Sequence, residues 1–186
     1  MGRNYNVIEI IKVYILGSIA YLIGGITSLS FEWIRENTFL YPRVPLIAAG
    51  LGGLLVGILL NGCRKQDLLR FLIISITSYL AVILINFMLL TSTFGQEFLL
   101  AQIVFRIMLP VIVYSVVFGI QLHGWQSIPH FLISSFFSTL PILILVFVFY
   151  LNKNTPLGFE SLWMYISLGA SVAVSIKSYN IADVKD

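Results

Sequence analysis

From residue 98 to residue 152 the chain carries one charged side chain, Arg106. A water-soluble fold needs charge on its outer face, and so long an uncharged stretch cannot all be hidden inside 186 residues. The rest of the chain is almost as poor in charge: 59% of residues are hydrophobic, 10% are charged, and mean hydropathy is +0.97. Lipid offers no hydrogen bonds, so each apolar run must satisfy its own peptide groups, which a helix does within one segment. The sequence therefore predicts an all-α fold, a polytopic transmembrane helical bundle forming one integral membrane domain over residues 1–186.

A helix needs about 20 apolar residues to cross the hydrocarbon. Six segments qualify, over approximately 11–31, 44–63, 70–94, 98–122, 129–151 and 159–179. FEWIRENTFLYPRVP separates the first two, with charge, Trp33, Tyr41 and two prolines that suit a helix entry. Arg64, Lys65, Asp67 and Arg70 read as a short polar turn, and Thr91 to Glu97 as the next exit. HGWQSIPH, residues 123–130, divides the long uncharged stretch, and Lys153 to Pro156 makes the last turn. Arg3 and Lys12 precede the first run as in a signal peptide, but no small-residue cleavage site follows, so this run is expected to stay as a helix.

The basic residues set an orientation. If both termini are cytoplasmic, that side collects Arg3, Lys12, Arg64, Lys65, Arg70, Lys177 and Lys185, against Arg35, Arg43 and Lys153 outside. The net charge of +3 and pI near 9.1 thus belong to helix flanks, and no nucleic-acid partner is expected. Compactness and charge bias point to a bacterial inner membrane.

Chemistry is sparsely represented. Cys63 is the single cysteine and His123 and His130 are the two histidines, so neither a disulfide nor a histidine–cysteine metal shell is expected. HExxH, GxSxG and a phosphate-binding loop are absent, and the predicted spans lack clustered carboxylates. No enzyme activity, catalytic residue or cofactor is expected. Close helix contacts are expected instead at Ala20, Gly24 and Ser28 of the first span, against Gly50, Gly53 and Gly57 of the second. Ser167, Ser171 and Ser175 form a similar face on the last span.

Arg106 is the first candidate for a functional residue, because a charge inside a span must pair, reach the interface or face water. Asn86, Gln102 and Tyr114 are the polar groups expected to join it in a solute site, near the interruption at Pro110. Pro141 interrupts the fifth span beside Ser134, Ser135, Ser138 and Thr139. His123, Trp125, Gln126 and His130 gather at the predicted cytoplasmic interface, where tryptophan acts as an anchor or as a docking surface for a protein partner.

Together these features predict a small multi-spanning membrane protein, in contact with membrane lipids, that binds or translocates a small solute, as a transporter or its membrane subunit. In size and number of spans the chain is similar to the vitamin-binding subunits of energy-coupling-factor transporters, whose six helices hold a ligand near the outer face. That resemblance covers architecture alone and matches no motif residue by residue. The second reading is a non-catalytic scaffold or assembly subunit of a cell-envelope complex, similar in size and hydropathy to small bacterial morphogenetic membrane proteins.

Overall fold

The structure, a computed structural model, describes residues 7–33, 44–61, 65–90, 99–151 and 159–183. Among these, every residue except Gly124 is helical and no strand occurs. The helices are α1 (Val7–Trp33), α2 (Val44–Asn61), α3 (Lys65–Leu90), α4 (Leu99–His123), α5 (Ile128–Leu151) and α6 (Phe159–Asp183), with a 3-10 turn at Trp125–Ser127. The fold is an all-α bundle. Three stretches are long and apolar enough to cross a membrane, Val7–Thr27, Asp67–Ile85 and Trp125–Val148, and Leu46–Leu60 and Ile107–His123 are shorter apolar stretches.

One boundary differs from the sequence reading. The polar group at residues 64–70 is not simply a turn, because α3 begins at Lys65 and includes Asp67 and Arg70. Asp67 sits in the first turn, where a carboxylate complements the partial positive charge of unpaired helix N–H groups. One turn on, Arg70 donates to the Leu122 carbonyl at 3.0 Å, satisfying an acceptor in the last turn of α4. The expected exit at Thr91 to Glu97 lies outside the described residues.

Helices α1 to α5 pack in sequence order except at one seam. α1 lies along α2, α2 along α3, α3 along α4 and α4 along α5; α6 fits between α1 and α5 and also reaches α4 and α2. α1 and α5 flank α6 without packing extensively on each other. α6 is the least apolar of the six helices and the most enclosed, with Ser167, Leu168, Ala170, Ser171, Val172, Ala173, Ser175 and Ile176 all buried. A helix surrounded by other helices meets little lipid, so it can carry serines that a lipid-facing helix carries less readily.

Small residues set the closest approaches. A methyl group on Gly169 would overlap the Gly17 carbonyl, so α1 and α6 touch backbone to backbone. Gly24 meets Ala48 in the expected α1–α2 contact. The second-span glycines divide differently from expectation: Gly52 faces Tyr21 of α1, whereas Gly50 lies against Leu72 and Ile76 of α3, and Gly53 and Gly57 against Ser75 and Phe71 of the same helix. Gly52 and Gly53 are adjacent, and neighbouring helix positions look about 100° apart, so one glycine-rich segment serves two partners.

Contacts between helix ends assemble one end of the bundle. Lys177 pairs with Glu9 at 3.6 Å, and His130 lies 2.8 Å from Ser178 through Nε2 and Oγ. With the Arg70–Leu122 contact, these bring together the starts of α1, α3 and α5 and the ends of α4 and α6. The α4–α5 connection turns at Gly124, whose φ of 85° and ψ of −178° lie where essentially only glycine is at ease. Its N–H closes α4 on the Ile120 carbonyl at 2.8 Å, and its own carbonyl receives the Ser127 hydroxyl at 2.7 Å.

Candidate functional site

Two hydroxyl clusters lie within the bundle. The first ties four helices together at Tyr21 of α1, Ser75 of α3, Tyr114 of α4 and the Ala49 carbonyl of α2. The three side chains are fully buried. Ser75 donates to Ala49 at 2.5 Å, so both phenols must donate to hydroxyl oxygens. Tyr114 is within bonding reach of Tyr21 and of Ser75, and Tyr21 lies 3.1 Å from Ser75. The ring of Tyr114 packs edge-on to Tyr21 and Tyr79, with centroids 5.9 Å and 6.3 Å away. Every proton in this cluster has an acceptor, and aromatic rings fill the space around it.

Tyr114 therefore stands in a packed core with its hydroxyl engaged by neighbouring helices. The other three members of the expected solute site, Asn86, Gln102 and Arg106, have side chains outside the described residues.

The second cluster lines a lateral groove where α1 and α5 part over α6. Its volume is about 430 Å³, and its walls come from Ile10 and Tyr14 of α1, Val174 and Ser178 of α6, and a stripe of α5. That stripe runs from His130 through Ser134 and Ser138 to Pro141, with Ile133 and Phe137 beside it. Steps of four, four and three keep these residues on one helix face over about 16 Å at 1.5 Å per residue. No Asp, Glu, Lys or Arg is among the described lining residues.

Hydrogen-bond directions give the groove its character. Ser178 lies within donating reach of the Val174 carbonyl at 2.7 Å, and with its proton placed there the contact to His130 is made by the histidine Nε2–H tautomer. Ser134 donates to the His130 carbonyl at 2.8 Å and is then the acceptor for Ser175 at 2.6 Å. Ser138 donates to the Ser135 carbonyl at 3.2 Å. Such bonds to the preceding turn are the usual way a helical serine satisfies its proton in lipid. Pro141 has no N–H to offer the Phe137 carbonyl one turn earlier. What these groups retain are mainly oxygen lone pairs. The Tyr14 hydroxyl oxygen is buried beside them with no hydrogen-bond partner among the described residues.

The four expected interface residues face two ways. His123 stacks on Tyr179 with ring centroids 4.4 Å apart, and His130 meets the same ring at 5.4 Å. Trp125 is 75% exposed and Gln126 is exposed as well. Among the described residues no three His, Cys, Asp or Glu side chains come together as a metal shell would require. Tyr14 and Ser178 were not expected at a site. The stripe from His130 to Pro141 is visible in the sequence as helical spacing, but nothing in the spacing of α1 or α6 assigns Tyr14 or Ser178 to the same groove.

No protein family matches this chain, and neither a curated protein nor a solved structure does so.

Proposed function

We propose that this chain is a multi-pass protein of the cell membrane, most simply a bacterial inner membrane, that binds or moves a small solute in the groove between α1, α5 and α6. The observation that carries this reading is the groove itself: about 430 Å³, apolar on its walls and polar along one stripe. Small-molecule sites typically measure roughly 300–1,000 Å³ and combine apolar walls with a few placed polar groups. The Tyr21–Ser75–Tyr114 core has the opposite character, because its hydroxyls are already engaged with one another. The proposed topology has six crossings with both termini cytoplasmic. The Glu9–Lys177 contact supports it by bringing the start of α1 and the end of α6 together, and the basic flanks support the direction. In this reading the protein has no enzymatic activity and acts on its own or as the membrane subunit of a larger transporter.

Two measurements test it. Reporter fusions at the two termini should both read as cytoplasmic, and opposite readings would break the six-span topology. Native mass spectrometry of protein extracted in mild detergent should detect a small-molecule adduct. Ser138→Phe, which fills the groove from α5, should lose that adduct; retention at wild-type level would place the solute elsewhere.

The assembly-subunit reading is favoured by one observation, the exposure of Trp125 and Gln126 at the end of the bundle. A cytoplasmic protein partner docking there would be released by Trp125→Ala with the groove adduct intact.

A further inference from the structure

The direction of the hydrogen bonds in the groove selects a chemistry for its occupant. We propose that the groove takes a neutral single-chain amphiphile whose head group donates hydrogen bonds through hydroxyls, with its hydrocarbon tail lying along Ile133, Phe137 and Pro141. This inference rests on the groove being the solute site.

Ser134, Ser138 and Ser178 each lie within donating reach of a carbonyl of their own helix, and with these protons so placed His130 Nε2–H is the donor to Ser178. A head group that brings its own donors can bond to the remaining lone pairs without breaking any of these bonds. A head group that brings only acceptors must first displace one of them or rely on Tyr14 alone, and a buried acceptor left without a donor is costly.

Charge narrows the class further. A carboxylate or phosphate head would enter a space with no Arg or Lys among its described lining residues, next to a histidine N–H that is already committed. An ammonium head would find acceptors but no carboxylate, because Glu9 is outside the lining and is paired with Lys177. Either ion would lose its hydration without a counter-charge. A hydroxyl head meets neither difficulty.

The geometry also matches an amphiphile more closely than a water-soluble solute. His130 and Ser178 lie at the end of the bundle where the Glu9–Lys177 pair sits, and the stripe descends from there toward Pro141. Beside that stripe Ile133 and Phe137 are 55% and 64% exposed, so the groove is open on an apolar flank. A molecule already lying in the bilayer can enter sideways, leaving its head near the interface.

The test uses the full chain in nanodiscs and four probes with the same hydrocarbon chain: 1-monooleoylglycerol, oleate, oleylamine and methyl oleate. Binding is read by native mass spectrometry and by competition. Monooleoylglycerol should bind about tenfold more tightly than each of the other three, as expected when a buried polar group gains or lacks its partner. Equal affinity for monooleoylglycerol and methyl oleate would overturn the role of donors, and preference for oleate or oleylamine would overturn the neutral head. Ser138→Phe separates this inference from the reading beneath it. If all four probes bind alike and all are lost in the variant, the groove is the site and the donor rule is wrong. If binding is unchanged in a variant that folds as wild type does, the groove is not the site at all. The selectivity of the wild-type protein needs no variant and stands as a test even if Ser138→Phe fails to fold.

Discussion

The two hydroxyl clusters are built from the same residue types, serine and tyrosine, yet one is closed and the other open. In the first, Tyr21, Tyr114 and Ser75 come from three different helices and each proton ends on a neighbour across a helix interface. In the second, Ser134, Ser138 and Ser178 turn their protons back on their own helices, Ser134 and Ser178 meet Ser175 and His130 across the α5–α6 contact, and the Tyr14 hydroxyl has no hydrogen-bond partner among the described residues. Polar groups in this apolar helical bundle therefore do one of two things. Where each hydroxyl is saturated by its neighbours the cluster ties helices together; where the protons go to carbonyls of the same helix, oxygen lone pairs remain for something else. Side-chain type does not distinguish the cases, whereas the packing of the surrounding helices does.

The strongest way to break this arrangement acts on the helix contact shared by both regions. α1 carries Tyr21 into the closed cluster and Tyr14 to the groove, and its position is set by Gly17 against Gly169 of α6. Gly169→Val forces the two backbones apart, because the obstructing atom is a main-chain carbonyl and not a flexible side-chain tip. The expected loss is about 3 kcal/mol, at the upper end of ordinary overpacking. Unfolding in mixed micelles should show it as a large fall in midpoint, and binding of any groove occupant should fall with it. A variant of unchanged stability would mean that α1 and α6 do not meet at these glycines.

A smaller effect is expected from opening the closed cluster. Tyr114→Phe removes one hydroxyl but keeps the ring against Tyr21, Tyr79 and Phe118. Tyr21 can still donate to Ser75, which lies 3.1 Å away, so the remaining groups stay satisfied. The cost should be about 1 kcal/mol, near the values measured for polar contacts between membrane helices. A double-mutant cycle with Ser75→Ala isolates the contact itself. Strict additivity would mean that the two hydroxyls do not interact.

The same comparison marks what the sequence could reveal. Six helices were legible as six apolar runs separated by charge, proline or glycine, and three of them hold stretches long and apolar enough to cross a membrane. Inside and outside faces were not legible. Val82 is 1% exposed and Leu84 is 66% exposed, yet both are aliphatic, because α3 is apolar on its exposed as well as its buried face. The glycines signalled close approach but not to which neighbour, so Gly50, Gly53 and Gly57 were assigned to α1 although they meet α3. Tyr114 was singled out because it is polar, and polarity alone cannot separate a solute ligand from a helix tie. Tyr14 escaped notice because an interfacial tyrosine is ordinary in such sequences. Its significance depends on α5 standing away from α1, a property of the assembled helices.

Tyr14→Phe should have the smallest effect, and that is its value. The Tyr14 hydroxyl oxygen is buried with no hydrogen-bond partner among the described residues, so removing it breaks no bond among them and relieves the cost of holding a polar atom away from water. Stability should stay within about 0.5 kcal/mol of wild type or rise slightly, in contrast to Tyr114→Phe, although both changes delete the same single atom. Paired unfolding titrations of the two variants under one set of conditions provide the comparison. If Tyr14→Phe costs as much as Tyr114→Phe, the Tyr14 hydroxyl has a partner, and the groove is as closed as the core. If it costs nothing, the difference between the regions lies in whether the hydroxyls saturate one another, and the unsaturated groups are what the groove offers to a ligand.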